Sequence, residues 1–357
     1  MKNRKPLLFV AALLPVAIIG GIFTGMYTFA GYTEEMRQLL LVQFGGYAQY
    51  LAIVVVQTML YAAVCGFFGY ILADKTGLLK PFILEKKKLA ISGIVTLVCG
   101  VVFGLDYWIF GTHIPEVADS CQNITYSNVI ASVLYGGIIE EVMMRLFLMS
   151  LIAFSLWKLF YRALPKEKIP VKVFIIANVI AALLFAVGHL PATFLTFRTV
   201  NALVIIRCFL YNGGLGLVFG WLYRKYGIQY AMIGHAGTHI ISKLVWLLVI
   251  CVCAISGIFN GNKVSYANSF RMDYSILDRQ EDTVMELLSG DELQVEIVQT
   301  QGSVDVMIGM DGEEPIYEGS NLTEIRFTLN IRKTGDYHIS VTGNKAKGYV
   351  SFERQEK

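Results

Sequence analysis

The chain has 357 residues, of which 55% are hydrophobic and 16% charged, and its mean hydropathy is +0.56. A soluble domain carries about a quarter of its residues as charges, so this chain has too few to cover a water-facing surface, which excludes a soluble globular enzyme, a disordered chain and a nucleic-acid binder. The net charge of +3 is the sum of two unlike parts: residues 1–262 hold 20 Lys and Arg against 10 Asp and Glu, and residues 263–357 hold 10 against 17. That asymmetry predicts a membrane block, 1–262, followed by an acidic, water-soluble domain, 263–357.

In chain order, Lys2, Arg4 and Lys5 precede an apolar stretch too long for a cleaved signal sequence, which reads as a retained first span. A span needs about 20 mostly apolar residues to cross a hydrocarbon core of about 30 Å. Seven stretches qualify: 7–30, 47–73, 89–110, 127–159, 171–190, 202–223 and 228–259. One set of connecting loops collects Lys75, Lys80, Lys86, Lys87 and Lys88, then Lys158, Arg162, Lys166, Lys168 and Lys172, then Arg224 and Lys225. The opposite set holds only Arg37 and Arg198. This bias predicts a cytoplasmic N-terminus and, after seven crossings, an extracytoplasmic tail. The cysteines (Cys65, Cys99, Cys121, Cys208, Cys251 and Cys253) show no zinc-site spacing, and none lies in the tail. They read as small buried hydrophobes, and a cysteine-free exported domain suits a bacterial cell surface.

The tail reads as β. Alternating stretches at 283–288, 293–298, 303–310, 324–330, 337–342 and 349–352 are separated by turn residues such as Gly302, Asp311-Gly312 and Gly343-Asn344. The predicted fold class is an α-helical polytopic membrane protein of about seven transmembrane helices with a small C-terminal all-β, sandwich-like domain. The tail shows no catalytic constellation. It reads as a structural or sensing module and as a candidate to bind an extracellular partner.

Ionisable groups inside spans are costly, and so mark functional sites by default. The fourth span contains Glu140-Glu141-x-x-x-Arg145, the fifth ends in Phe185-x-x-x-His189, and the seventh holds His235-x-x-x-His239. Glu141 and Arg145 stand four apart, on one helix face, and can pair. Glu140 is turned away from Glu141 in an α-helix, so one carboxylate can be structural while the other faces a cavity. Gly136 and Gly137 permit close helix approach one turn earlier, and Gly216-x-x-x-Gly220 offers the same contact in the sixth span. Arg207 reads as a snorkelling cation. Lys243, four residues after His239, either lines the same cavity or pairs with a carboxylate.

These motifs, in this order and setting, resemble the CPBP family, the CAAX-protease and bacteriocin-processing or Abi proteins. Its pattern is a Glu-Glu-x-x-x-Arg helix, a Phe-x-x-x-His helix and a later His-x-x-x-Asn helix; the match covers roughly 127–239. His239 stands where that family most often has Asn. The resemblance implies an intramembrane endopeptidase that hydrolyses a peptide bond in a membrane-associated peptide or protein. Glu140 is then the expected general base. His189 holds the water, His235 and His239 stabilise the oxyanion, and Glu141, Arg145 and Phe185 support them. A metal-free scheme is favoured because no His-Glu-x-x-His helix is present. Zinc on Glu140, His189, His235 and His239 is kept as the alternative. The competing function is a non-catalytic membrane scaffold or bacteriocin self-immunity protein of the same fold.

Overall fold

The computed structural model describes residues 4–355 apart from 33, 112, 123, 198, 199, 257–259 and 267. Lys2, which precedes the first span, and Arg198, one of the two cations of the opposite loops, lie outside the described residues. The helices are α1 (Arg4–Gly31), α2 (Glu34–Phe44), α3 (Tyr47–Thr76), α4 (Lys86–Gly111), α5 (Pro115–Gln122), α6 (Tyr126–Phe160), α7 (Val171–Thr196), α8 (Ala202–Tyr226) and α9 (Ile228–Ser256). Among the described residues, six of these (α1, α3, α4, α6, α7 and α8) are long and apolar enough to cross a membrane. The seventh expected span, 228–259, forms the 29-residue helix α9 and then runs into residues outside the description.

The packing divides the chain into two compact units, Met1–Asp106 with Ile124–Leu244, and Tyr107–Asn123 with Val245–Lys357. The first is the helical unit. Its ends are set by local chemistry: Gly77, in the left-handed region at φ 76°, closes α3, and the side chains of Thr125 and Asn201 cap α6 and α8 by accepting from Asn128 N and Val204 N. The core is built from Ile139, Val142, Leu146 and Met149 of α6 against Phe219, Leu222 and Tyr223 of α8. The outward faces keep Leu60, Ile94, Leu97, Ile176 and Leu183 exposed, as helices in lipid require. Gly216 and Gly220 of α8 do meet α7 closely, at Ala182 and Asn178.

Helix α7 departs from expectation. The fifth span was predicted to stop at Leu190, before Pro191. Instead α7 runs through Pro191 to Thr196. Proline removes one backbone donor but does not end a helix whose neighbours hold it, and Thr193 Oγ1 donates to the His189 carbonyl at 2.9 Å. His189 therefore sits within a helix rather than at its end. A second departure is in α6, which is π-wound over Ser132–Glu140 and Val142–Met149. Such winding is rare and is frequent at functional sites.

The second unit is larger than the acidic tail because α5 packs on the first strands and Tyr107 Oη donates to Gly261 O at 3.2 Å. Its strands are β1 (Asn260–Tyr266), β2 (Ser269–Leu277), β3 (Gln280–Leu287), β4 (Glu292–Gly309), β5 (Tyr317–Leu322), β6 (Glu324–Asn330) and β7 (Gly335–Gln355). They form one antiparallel sheet in the order β1-β2-β7-β4-β5, with β3 also on β7 and β6 also on β4. The predicted strands 293–298 and 303–310 are halves of β4, and 337–342 and 349–352 are halves of β7. Gly302, read as a turn, is a bulge: its φ is +67°, and a Cβ there would lie 2.4 Å from the carbonyl oxygens of Asn344 and Lys345. Three strands went unpredicted. β1 and β5 are polar edges with no apolar alternation, whereas β2 does alternate at Phe270, Met272 and Tyr274, all buried.

Hydrogen bonds from Ser340 and Gln280 hold the Asp282 carboxyl below its ordinary range, and the Tyr349 hydroxyl and Arg326 do the same for Glu296. Carboxylates lowered in the folded state add stability that is complete above the ordinary carboxylate range and is lost as pH falls through the lowered values. The opening free energy of the β3, β4 and β7 amides, from hydrogen exchange corrected for the intrinsic rate at each pH, is therefore expected to be level near neutrality and to fall below about pH 4.

Candidate active site

Three helices of the first unit converge on one cavity of about 600 Å³, a size suited to a peptide segment. Glu140, Gly136, Tyr135 and Ser132 come from α6, Phe185 and His189 from α7, and His235, Thr238 and His239 from α9. Thr24, Tyr27 and Thr28 of α1, Tyr61 of α3 and Phe219 of α8 also line it.

The adjacent carboxylates have separated as their helix position demands. Glu141 is fully buried and pairs with Arg145, Nη1 to Oε1 3.1 Å. It also accepts from His235 Nδ1 at 2.8 Å on the same oxygen. Arg145 is held further by donating to the Gly216 carbonyl at 3.2 Å and by lying over the Phe185 ring at 4.9 Å. Glu141 and Arg145 are absent from the cavity wall, while Glu140 is on it. The Glu140 side chain keeps 17% of its surface exposed, and its Oε1 lies 3.9 Å from His189 Nε2.

The imidazoles are positioned through their other nitrogens and their faces. His189 Nδ1 lies 2.9 Å from the Phe185 carbonyl, and the two rings meet edge to face at 4.5 Å. His235 stacks on Phe219 at 4.6 Å and on His239 at 5.0 Å. His239 points Nε2 toward Gly136: a Cβ built on that glycine would lie 3.2 Å from it and 3.9 Å from Glu140 Oε2. The gap between acid and imidazole is thus the space left by a missing side chain. At Gly137 the same construction puts a Cβ 2.4 Å from the Ala236 Cβ, so α6 and α9 pack backbone to backbone. Gly137→Ala is expected to force the helices apart. The cost is about 1–3 kcal/mol of stability, read by thermal unfolding, together with loss of any activity that needs Glu140 beside His239.

Residues 122–241 match the Rce1-like type II CAAX prenyl endopeptidase family. This is the family that the motifs resemble, and the matched segment holds Glu140, Glu141, Arg145, Phe185, His189, His235 and His239. The protein is accordingly a multi-pass membrane protein carrying an Rce1-like segment of a membrane-peptidase family. No curated protein gives a significant match to the chain.

Among the described residues, no three His, Cys, Asp or Glu side chains converge as a metal site requires, and His235 commits Nδ1 to Glu141. The sequence reading missed the α1 and α3 walls and the Phe219 face under His235. It also took Arg207 as snorkelling, whereas Arg207 forks onto Asp106, a buried carboxylate of α4, with Nε 2.9 Å from Oδ1. Two lone opposite charges in neighbouring apolar spans were the available signal for that pair.

Proposed function

We propose that this protein is an intramembrane endopeptidase that hydrolyses a peptide bond in a membrane-associated peptide or protein by a glutamate-dependent, metal-free route. The observation that carries this reading is the partly exposed Glu140 carboxylate, 3.9 Å from the His189 imidazole on the wall of a cavity inside a helical membrane unit. With its Nδ1–H on the Phe185 carbonyl, neutral His189 offers Nε2 as an acceptor. One water can donate to Glu140 Oε1 and His189 Nε2 together. Glu140 takes one proton of that water as its oxygen bonds the scissile carbonyl carbon, and the carbonyl electron pair moves to oxygen. Glu140 then returns the proton to the departing nitrogen as the C–N bond breaks, leaving a carboxylic acid and an amine.

The oxyanion donor in this reading is His239. Its Nδ1 is buried with no hydrogen-bond partner among the described residues, so the tautomer that places the proton on Nε2, facing Glu140, leaves no buried N–H unsatisfied. His235 takes a different part from the one expected. Its Nδ1–H goes to Glu141, so neutral His235 presents only an acceptor and donates only as imidazolium. It acts mainly by stacking against His239 and fixing that ring. The loop charges favour a cytoplasmic N-terminus and an extracytoplasmic β domain.

The test is hydrolysis of a membrane-inserted peptide by purified full-length protein in lipid. Activity is expected to survive a chelator and to vanish in Glu140→Ala. Loss on chelation with recovery on zinc would overturn the metal-free route, and a cellular phenotype retained by Glu140→Ala would instead favour the scaffold or self-immunity protein.

A further inference from the structure

One side chain on the cavity wall carries a hydrogen-bonding group that the hydrolytic scheme does not use. Asn212 of α8 lines the cavity and is half-buried. Its Nδ2 donates to the Cys208 carbonyl at 3.0 Å and lies 3.5 Å from Cys208 Sγ. A carbonyl only accepts, so the nitrogen end of the amide must face it, and the orientation of the amide is fixed. The nitrogen is thus committed to Cys208, and Oδ1 has no partner among the described residues. The local fold holds this acceptor close to the site. Phe209–Gly214 is a second π-wound stretch, in α8. A Cβ on Gly213 would lie 3.6 Å from the Ala186 Cβ, and Cys208 Sγ is 3.5 Å from the Ala186 carbonyl, so this turn of α8 packs on the turn of α7 that carries Phe185 and His189.

An amide oxygen covered by an occupant that offers no donor loses its hydrogen bond, so such an acceptor selects against that occupant. Acyl chains carry no donor, whereas a peptide backbone carries one N–H at every residue but proline. We infer that Asn212 Oδ1 accepts a backbone N–H of the bound peptide, fixing the register of the chain in the cavity and favouring peptide over lipid there. That the ligand is a peptide rests on the peptidase reading. In a membrane helix every interior N–H is already bonded within the helix. The acceptor therefore holds a stretch that has unwound, the form in which a peptide bond is open to attack by water.

Full-length protein carrying Glu140→Gln, in lipid nanodiscs, is offered a fluorescent apolar peptide and a set of copies in which one backbone amide at a time is replaced by an ester, which removes that N–H. One position is expected to cost about tenfold in affinity, the worth of one hydrogen bond. Asn212→Leu removes the acceptor, so the penalty at that position vanishes while any penalty elsewhere stays. Asn212→Asp keeps an acceptor oxygen but loses the donor to Cys208, and the penalty remains. A residue that only held the helix would make these two variants alike. If Asn212→Leu does not fold, Asn212→Ser returns its hydroxyl to the Cys208 carbonyl and withdraws the acceptor from the cavity, and the penalty again falls. No ester position with a penalty, or a penalty unchanged in both Asn212→Leu and Asn212→Ser, overturns the assignment. Because binding needs no hydrolysis, failure of the unsubstituted protein to cleave the all-amide peptide counts against the peptidase reading and not against the contact at Asn212.

Discussion

Glu140→Gln is expected to lower kcat/KM for peptide hydrolysis by about two to four orders of magnitude while leaving the folded protein as stable as before. The rate effect follows from removing the one carboxylate that, among the described residues, lines the cavity, the group that has to carry a proton from water to the leaving nitrogen. The lack of a stability effect follows from geometry. Glu140 is partly exposed, its charged contact to His189 is 3.9 Å long, and glutamine fills the same volume. The measurement is single-turnover hydrolysis beside thermal unfolding of the same preparation. A fall in unfolding temperature matching the fall in rate would mean that Glu140 holds the fold rather than acting on water.

Glu141 should behave in the opposite way. Glu141→Gln or Arg145→Met leaves one buried charge without its partner, and breaking such a pair costs about 3–5 kcal/mol. Both partners are essentially sealed from solvent, and both are also tied to the site, Glu141 through His235 Nδ1 and Arg145 through Phe185 and the Gly216 carbonyl. The single variants are expected to unfold early and to be inactive. Replacing both with leucine removes the uncompensated charge and should recover most of the stability without the activity, because His235 has lost the acceptor that sets its tautomer. A double variant that regained activity would show that Glu141 is only a helix clamp.

What was legible in the sequence is what membrane chemistry makes conspicuous. Carboxylates and imidazoles are expensive inside apolar spans, so Glu140, Glu141, Arg145, His189, His235 and His239 stood out by cost alone, and four-residue spacing gave the Glu141–Arg145 pair. What stayed hidden has no such cost. Phe219 and Tyr61 look like ordinary span residues until the fold carries them to the cavity. The π winding of α6 follows from packing rather than composition. Pro191 carried a strong helix-ending signal that the tertiary setting overrode. In the tail, alternating apolar residues marked the inner strands, but the polar edges β1 and β5 had none to show, and the irregular pairing beside Gly302 and Gly343-Asn344 read as turns because bulges and turns use the same residues.

Two neighbouring carboxylates have opposite surroundings, one on a cavity wall beside imidazoles and the other sealed between an arginine and a histidine. Labelling the native protein with a small carbodiimide and amine, then measuring each glutamate by peptide mass spectrometry, tests this most directly. Modification of Glu140 with protection of Glu141 is the predicted result, with Glu140 labelling blocked by a bound peptide. Labelling of Glu141 in the folded protein, or equal protection of both, would contradict it.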